Sequence, residues 1–238
     1  MPYIQTIDAK EAEGFLKQLY GTIIESRGKI AEIHKIQSLH PKSIVSHMDL
    51  YMTLMFGKSP LTRAQREMIG VIVSSENGCR YCVAHHSASL NHYWKKRETI
   101  DRFIEDYTSV GLSYKDLYIC QYALHLTRYP KDDHQEGWVE KLKEGGLTDR
   151  EILDVNLITA YFNFVNRLAE GLGVAFSQAE MTATIIPTRL LSARRVAGPD
   201  TRSLRRMRLD GASGIACAPS PRPLASVLAE HSGEKAIG

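Results

Sequence analysis

The chain has 238 residues, of which 43% are hydrophobic and 24% charged, with a formal net charge of +3. That length can bury a substantial core. The longest apolar runs, such as Met68 to Val73, fall far short of the roughly 20 residues a membrane-spanning helix needs, so no membrane partner is expected. The start, Met-Pro-Tyr-Ile-Gln-Thr-Ile-Asp, lacks a basic region followed by an apolar stretch, and the expected location is cytoplasmic.

The positive charge is unevenly placed. Nine basic and four acidic residues lie after residue 186, leaving 21 basic and 23 acidic residues in 1–186. The body is therefore near neutral and offers no nucleic-acid surface. The expected organisation is one domain over 1–186 and a basic, loosely ordered tail over 187–238. That tail is rich in Arg, Ala, Ser, Pro and Gly and has too few apolar residues to offset its ordering entropy.

In chain order, residues 9–27 place Phe15, Leu19, Thr22 and Ile23 at helical spacing, and Gly28 closes that helix. After His40-Pro41 a second helix starts at Ser43, with Ile44, Val45, Met48, Tyr51, Met52, Met55 and Phe56 on its apolar side. Thr62 is the N-cap of a third, apolar on most sides and so central to the core. Asn77-Gly78 interrupts it, and Asn77 is expected to cap the next helix. Further helices are predicted at 98–107, 113–128, 134–144 and 148–170, separated by Tyr129-Pro130 and Gly145-Gly146. No segment alternates with a period of two, so the fold class is all-α. Leu61-Thr62, an apolar helix and Asn77 are echoed 86 residues later by Leu147-Thr148, an apolar helix and Asn163. This suggests two degenerate helical halves, with Val165 and Leu168 in the register of Cys79 and Cys82.

The chemistry concentrates in Glu76-Asn77-Gly78-Cys79-Arg80-Tyr81-Cys82-Val83-Ala84-His85-His86. At about 100° per residue, Cys79, Cys82 and His86 fall within roughly 60° of one another on a helix, and His85 lies off that stripe. A thiol of ordinary pKa is mostly protonated at neutral pH, and the thiolate is the nucleophile. Here a helix start favours negative charge near Cys79, and His86 stands one turn beyond Cys82 as a base or cationic neighbour. Once one sulfur is oxidised to a sulfenic acid, the other can close a disulfide. The remaining thiols are of a different kind: Cys120 lies in an apolar helical run, and Cys217 sits in the tail. Structural zinc would need four ligands, and there is no second Cys-x-x-Cys. A thioredoxin-like site would need a βαβ context, which is absent. Glu67, taken alone, is the i+4 ion-pair partner of Arg63.

Together, Cys79, Cys82 and His86, with Glu67 twelve residues before Cys79, resemble the alkylhydroperoxidase D (AhpD-like) family of the carboxymuconolactone decarboxylase superfamily. The resemblance is closest to the peroxidase-related branch and spans roughly residues 3–185. It is supported by Leu61-Thr62-Arg63 and by Asn166-Arg167-Leu168-Ala169-Glu170-Gly171-Leu172-Gly173. It implies an all-helical bundle and a thiol-dependent peroxidase without metal, flavin or haem. In that reading Cys82 attacks the hydroperoxide, Cys79 is proton donor and resolving thiol, and Glu67 with His86 is the proton relay. A dihydrolipoyl-type or other dithiol partner would return the electrons, and the chain would be a homo-oligomer, a trimer or hexamer. The sequence departs from alkylhydroperoxidase D between the cysteines, where Tyr81 replaces a histidine. The tail has no counterpart in the family. Two other readings stand beside this one: a redox sensor that uses the disulfide as a switch, and a decarboxylase or lactone-type enzyme of the same superfamily.

Overall fold

A computed structural model of the chain describes residues 1–132 and 134–174. The expected domain boundary at 186, the basic tail and Cys217 lie outside the described residues. Nine α-helices, and no strand, are found among the described residues: α1 Gly14–Arg27, α2 Glu32–Lys35, α3 Pro41–Tyr51, α4 Arg63–Glu76, α5 Arg80–Trp94, α6 Arg97–Glu105, α7 Tyr114–Arg128, α8 Gln135–Glu144 and α9 Asp149–Leu172. A π-helical turn, Met52–Phe56, extends α3, and a 3₁₀ turn, Tyr107–Val110, follows α6. The all-α expectation holds.

Helix α4 is the axis, packed against α5, α7 and α9. Every residue from Arg66 to Ser74 is buried. Its start is a capping box: the Thr62 hydroxyl accepts from the Gln65 amide, and the Gln65 side chain accepts from the Thr62 amide. The guanidinium of Arg66, buried in this apolar helix, has a structural task. Arg66 is 6% exposed and donates to the carbonyls of Leu54, Met55, Gly57 and Leu61, gathering the chain between α3 and α4. Buried carbonyls need donors, and Arg66 supplies them, with Arg63 adding another at Met55. Gly57 fits the same turn because a Cβ there would run into the Thr53 carbonyl.

The two-halves pattern has a physical counterpart. Helix α9 also opens with a capping box, built from Thr148 and Glu151. Asn77 and Asn163, the equivalent residues, are hydrogen-bonded to each other at 3.0 Å.

Several local expectations are corrected by packing. In α1 the buried residues are Leu16, Tyr20 and Ile23, while Phe15 is exposed. Helix α3 starts at Pro41, with His40 as N-cap accepting from the Ser43 amide, rather than at Ser43. Asn77 caps no helix start. It is the C-cap of α4, and the N-cap of α5 is Cys79.

His34 and His47 have no partner pattern in the sequence, yet both are buried. The Nε2 of His47 is 2.8 Å from the Tyr161 hydroxyl, and its Nδ1 is 2.8 Å from the Gln37 amide nitrogen. Burial pulls the pKa of His34 down to about 3 and that of His47 to about 4, with the Arg27 charge adding to both. In the unfolded chain these rings take up protons below about pH 6.5, whereas in the folded chain they do not. Their contribution to stability is therefore intact above that pH and declines as pH falls toward 4, by up to about 1.4 kcal/mol per unit for each ring. Denaturant unfolding at pH 7 and pH 5 should reveal this slope, and His34→Leu should roughly halve it whatever its effect at pH 7.

Candidate active site

Helices α4 and α5 bring the sequence motif together across their interface. Glu67 on α4 has no solvent exposure, and its carboxylate has two partners. Arg63 Nη2 donates to Oε1 at 2.6 Å from one turn earlier, and His86 Nδ1 on α5 meets Oε2 at 2.8 Å. The expected Arg63 ion pair is present, and His86 shares the same carboxylate. A carboxylate only accepts, so Nδ1 carries the hydrogen and Nε2 is the basic nitrogen of the neutral ring. Arg63 is itself fixed, since its guanidinium donates to the Met55 carbonyl and lies 3.9 Å from the centre of the Phe56 ring.

The imidazole reaches Glu67 because of a glycine one turn further along α4. The His86 ring meets Phe162 of α9 edge-on, with centroids 4.4 Å apart, and both rest over Gly70. A Cβ at Gly70 would lie 3.0 Å from the Phe162 ring and 3.1 Å from His86 Cγ.

Cys79 and Cys82 are joined as a disulfide, with Cα atoms 5.3 Å apart, at the first turn of α5. Cys79 occupies the N-cap, where its sulfur accepts the Cys82 amide at 3.4 Å. That is the place on a helix where a sulfur anion is best supported. Both residues are buried, under Ala169 of α9, Val174 and Ile33 of α2.

The turn that aims them is clamped to α9. Gly78, at φ +68, breaks the helix there, and the Cys79 amide donates to the Ser74 carbonyl. The Asn77 side-chain amide donates to the side chains of Asn163 and Asn166, and Asn166 donates in turn to Ser74. Beside the turn lies a cavity of about 460 Å³, lined in part by Gly78 and Arg80. Val83, Ala84 and Ile104 give it an apolar lining beside Arg80 and Arg97, the latter paired with Asp101 at 2.8 Å.

Of the predicted residues, Glu67 and His86 bond directly, and Cys79 and Cys82 are paired. His85 turns away, its Nδ1 against the Tyr81 carbonyl at 2.8 Å. Cys120 is fully buried in α7, and burial pushes its thiol pKa well up. No group of three or more His, Cys, Asp or Glu placed to hold a metal ion occurs among the described residues. Sequence reasoning missed Gly70 and Phe162, which carry no chemistry of their own. It also missed the roles of Asn163 and Asn166, although the 86-residue echo had pointed to Asn163.

The family model described as the carboxymuconolactone decarboxylase family matches residues 46–112, a span that holds Glu67, both cysteines and His86. Among solved structures, a peroxidase-related protein from Silicibacter sp. TM1040 is 25% identical, with a TM-score of 0.62 over 68% of this chain and 85% of its own. A peroxidase-related protein with an alkylhydroperoxidase AhpD core, from Ralstonia eutropha JMP134, is 23% identical, with a TM-score of 0.67 over 78% and 97%. The debrominase Bmp8 shares the fold at 16% identity, with a TM-score of 0.62 over 76% and 96%. Comparison with curated proteins finds no match.

Gly70→Ala should leave the helices in place but push His86 off Glu67. Urea unfolding should show a loss of about 1–3 kcal/mol, and the proton resonance of the hydrogen-bonded His86 Nδ1–H should shift or vanish.

Proposed function

We propose that this chain, which belongs to the AhpD-like carboxymuconolactone decarboxylase superfamily, is a thiol-dependent peroxidase that reduces organic hydroperoxides through Cys79 and Cys82. One observation carries the reading. A redox-competent thiol pair shares helix α5 with an imidazole whose partner is a fully buried carboxylate.

In the reduced protein, the Cys82 thiolate attacks the terminal peroxide oxygen. The O–O bond breaks, Cys82 becomes a sulfenic acid and the alcohol leaves with a proton. Cys79 then attacks the Cys82 sulfur, giving the disulfide and water. A dithiol reductant, of dihydrolipoyl type or a protein dithiol, returns two electrons and two protons by exchange.

Each residue has a role in this scheme. Nε2 of His86 takes the thiol proton and gives it to the departing alkoxide, while Glu67 holds the ring and balances the imidazolium. Arg63 holds the Glu67 carboxylate from its other side by an ion pair. The N-cap supports Cys79 as a thiolate, the form needed to resolve the sulfenic acid and to leave during reduction. In keeping with the same reading, the chain works in the cytoplasm as a homo-oligomer, a trimer or hexamer.

Steady-state consumption of cumene hydroperoxide with dihydrolipoamide tests the proposal. Cys82→Ser should abolish turnover, Cys79→Ser should stop it after one equivalent, and Glu67→Gln should lower it by about 10²-fold. Equal rates in wild type and Cys82→Ser would remove the peroxidase. Dithiol-dependent loss of bromide from a bromopyrrole, with no peroxide consumed, would replace it by reductive dehalogenation.

A further inference from the structure

The position that sets this chain apart from alkylhydroperoxidase D, Tyr81, is used structurally. It is buried at 6% exposure, and its hydroxyl accepts the Ile33 amide of α2 at 3.3 Å. The Ile33 side chain packs on the cluster formed by Cys79, Tyr81, Cys82 and Ala169. Tyr81 therefore ties a separate piece of chain over the redox pair.

That piece is weakly built. Helix α2 has four residues, a single turn, and no side-chain cap, so it has little stability of its own. It is held by bonds to its surroundings. The Gln37 side-chain nitrogen donates to the Ile33 carbonyl at 2.8 Å and lies 2.8 Å from His47 Nδ1, which joins α2 to α3 and through His47 to Tyr161. Lys35 pairs with Asp8 at 2.9 Å, a contact half-open to water and so of small value. One buried group works against the arrangement: His34 Nδ1 has no hydrogen-bond partner, a cost relieved when the turn lifts.

The other side of the pair is firmer. Ala169 belongs to the 24-residue helix α9, and Val174 follows its last turn, where the Tyr3 amide donates to the Leu172 carbonyl. Gly28, in the left-handed region at φ +79, precedes α2. Behind it, Ile36 and Ser38 are buried, and the Ser38 hydroxyl accepts the Ile7 amide. A turn with a glycine before it and an anchored segment after it can lift while the rest of the core stays closed.

We infer that α2 is a removable cover over the Cys79–Cys82 disulfide, and that Tyr81 and Gln37 are the positioning residues that hold it down and limit access of the reducing dithiol. The inference rests on the thiol-redox reading of the pair, but not on which substrate oxidises it. The gated step is thiol–disulfide exchange. A thiolate of the dithiol attacks one sulfur and the Cys79–Cys82 bond breaks. The departing cysteine takes up a proton, and the second thiol of the reagent then displaces the protein as it closes its own disulfide. Two electrons pass to the protein.

The test uses the oxidised full chain and dithiothreitol, with quenching by iodoacetamide and mass spectrometry to follow the pair. Tyr81→Phe, which removes one oxygen, and Gln37→Leu, which keeps the volume, should each speed reduction about fivefold, the weight of one hydrogen bond on an opening equilibrium. Deuterium uptake at residues 33–37 should rise in parallel. Alkylation of Cys120, buried within α7, reports general loosening and should not change. Reduction at the wild-type rate in both variants would overturn the cover, and so would acceleration matched by equal acceleration at Cys120. None of these readouts needs peroxide turnover, so a chain that fails as a peroxidase can still pass.

Discussion

A carboxylate with no contact with water needs neighbours that neutralise it, and Glu67 has two: a guanidinium one turn back on its own helix and an imidazole from the next. This double contact fixes how α4 and α5 meet. An unpaired charge there would cost several kcal/mol, so the three groups hold together or not at all. The cysteines inherit their placement from the arrangement, since the helix that supplies His86 begins with them.

The surrounding core serves that contact in small ways. Gly70 has no side chain, so Phe162 and His86 can lie against α4. Arg66 uses its donors on the chain that leads into α4 and thereby holds the stretch from which Met55 and Phe56 steady Arg63. The asparagine cluster beneath the α4–α5 turn joins the turn before the cysteines to α9 by side-chain amides, which fix direction better than apolar contact does.

Much of this was legible in the chain. Thr62 and Thr148 announce their helices because capping is local chemistry. What was not legible depends on distant partners. Nothing near Asn77 says that its amide is committed to α9, so it reads as a helix start. Cysteine is no usual N-cap, and Cys79 takes that place because Asn77-Gly78 has already ended α4. His34, His47 and Tyr161 meet across more than a hundred residues and share no local pattern. Phe15 and Leu16 are equally apolar neighbours, and only the packing of α1 on α3 decides which is buried.

The two capped helices part company at a single step. In the 86-residue register, Gly78 corresponds to Phe164, and where the glycine folds back to release a new helix, α9 runs straight on. A phenylalanine would not readily adopt that left-handed geometry, so α9 never opens a second amide-rich end. Thiols placed at Val165 and Leu168 would thus lie mid-helix, with their backbone N–H groups already committed to carbonyls one turn behind. What the second half lacks is a chain break, and sulfurs alone would not give it the N-cap that Cys79 occupies.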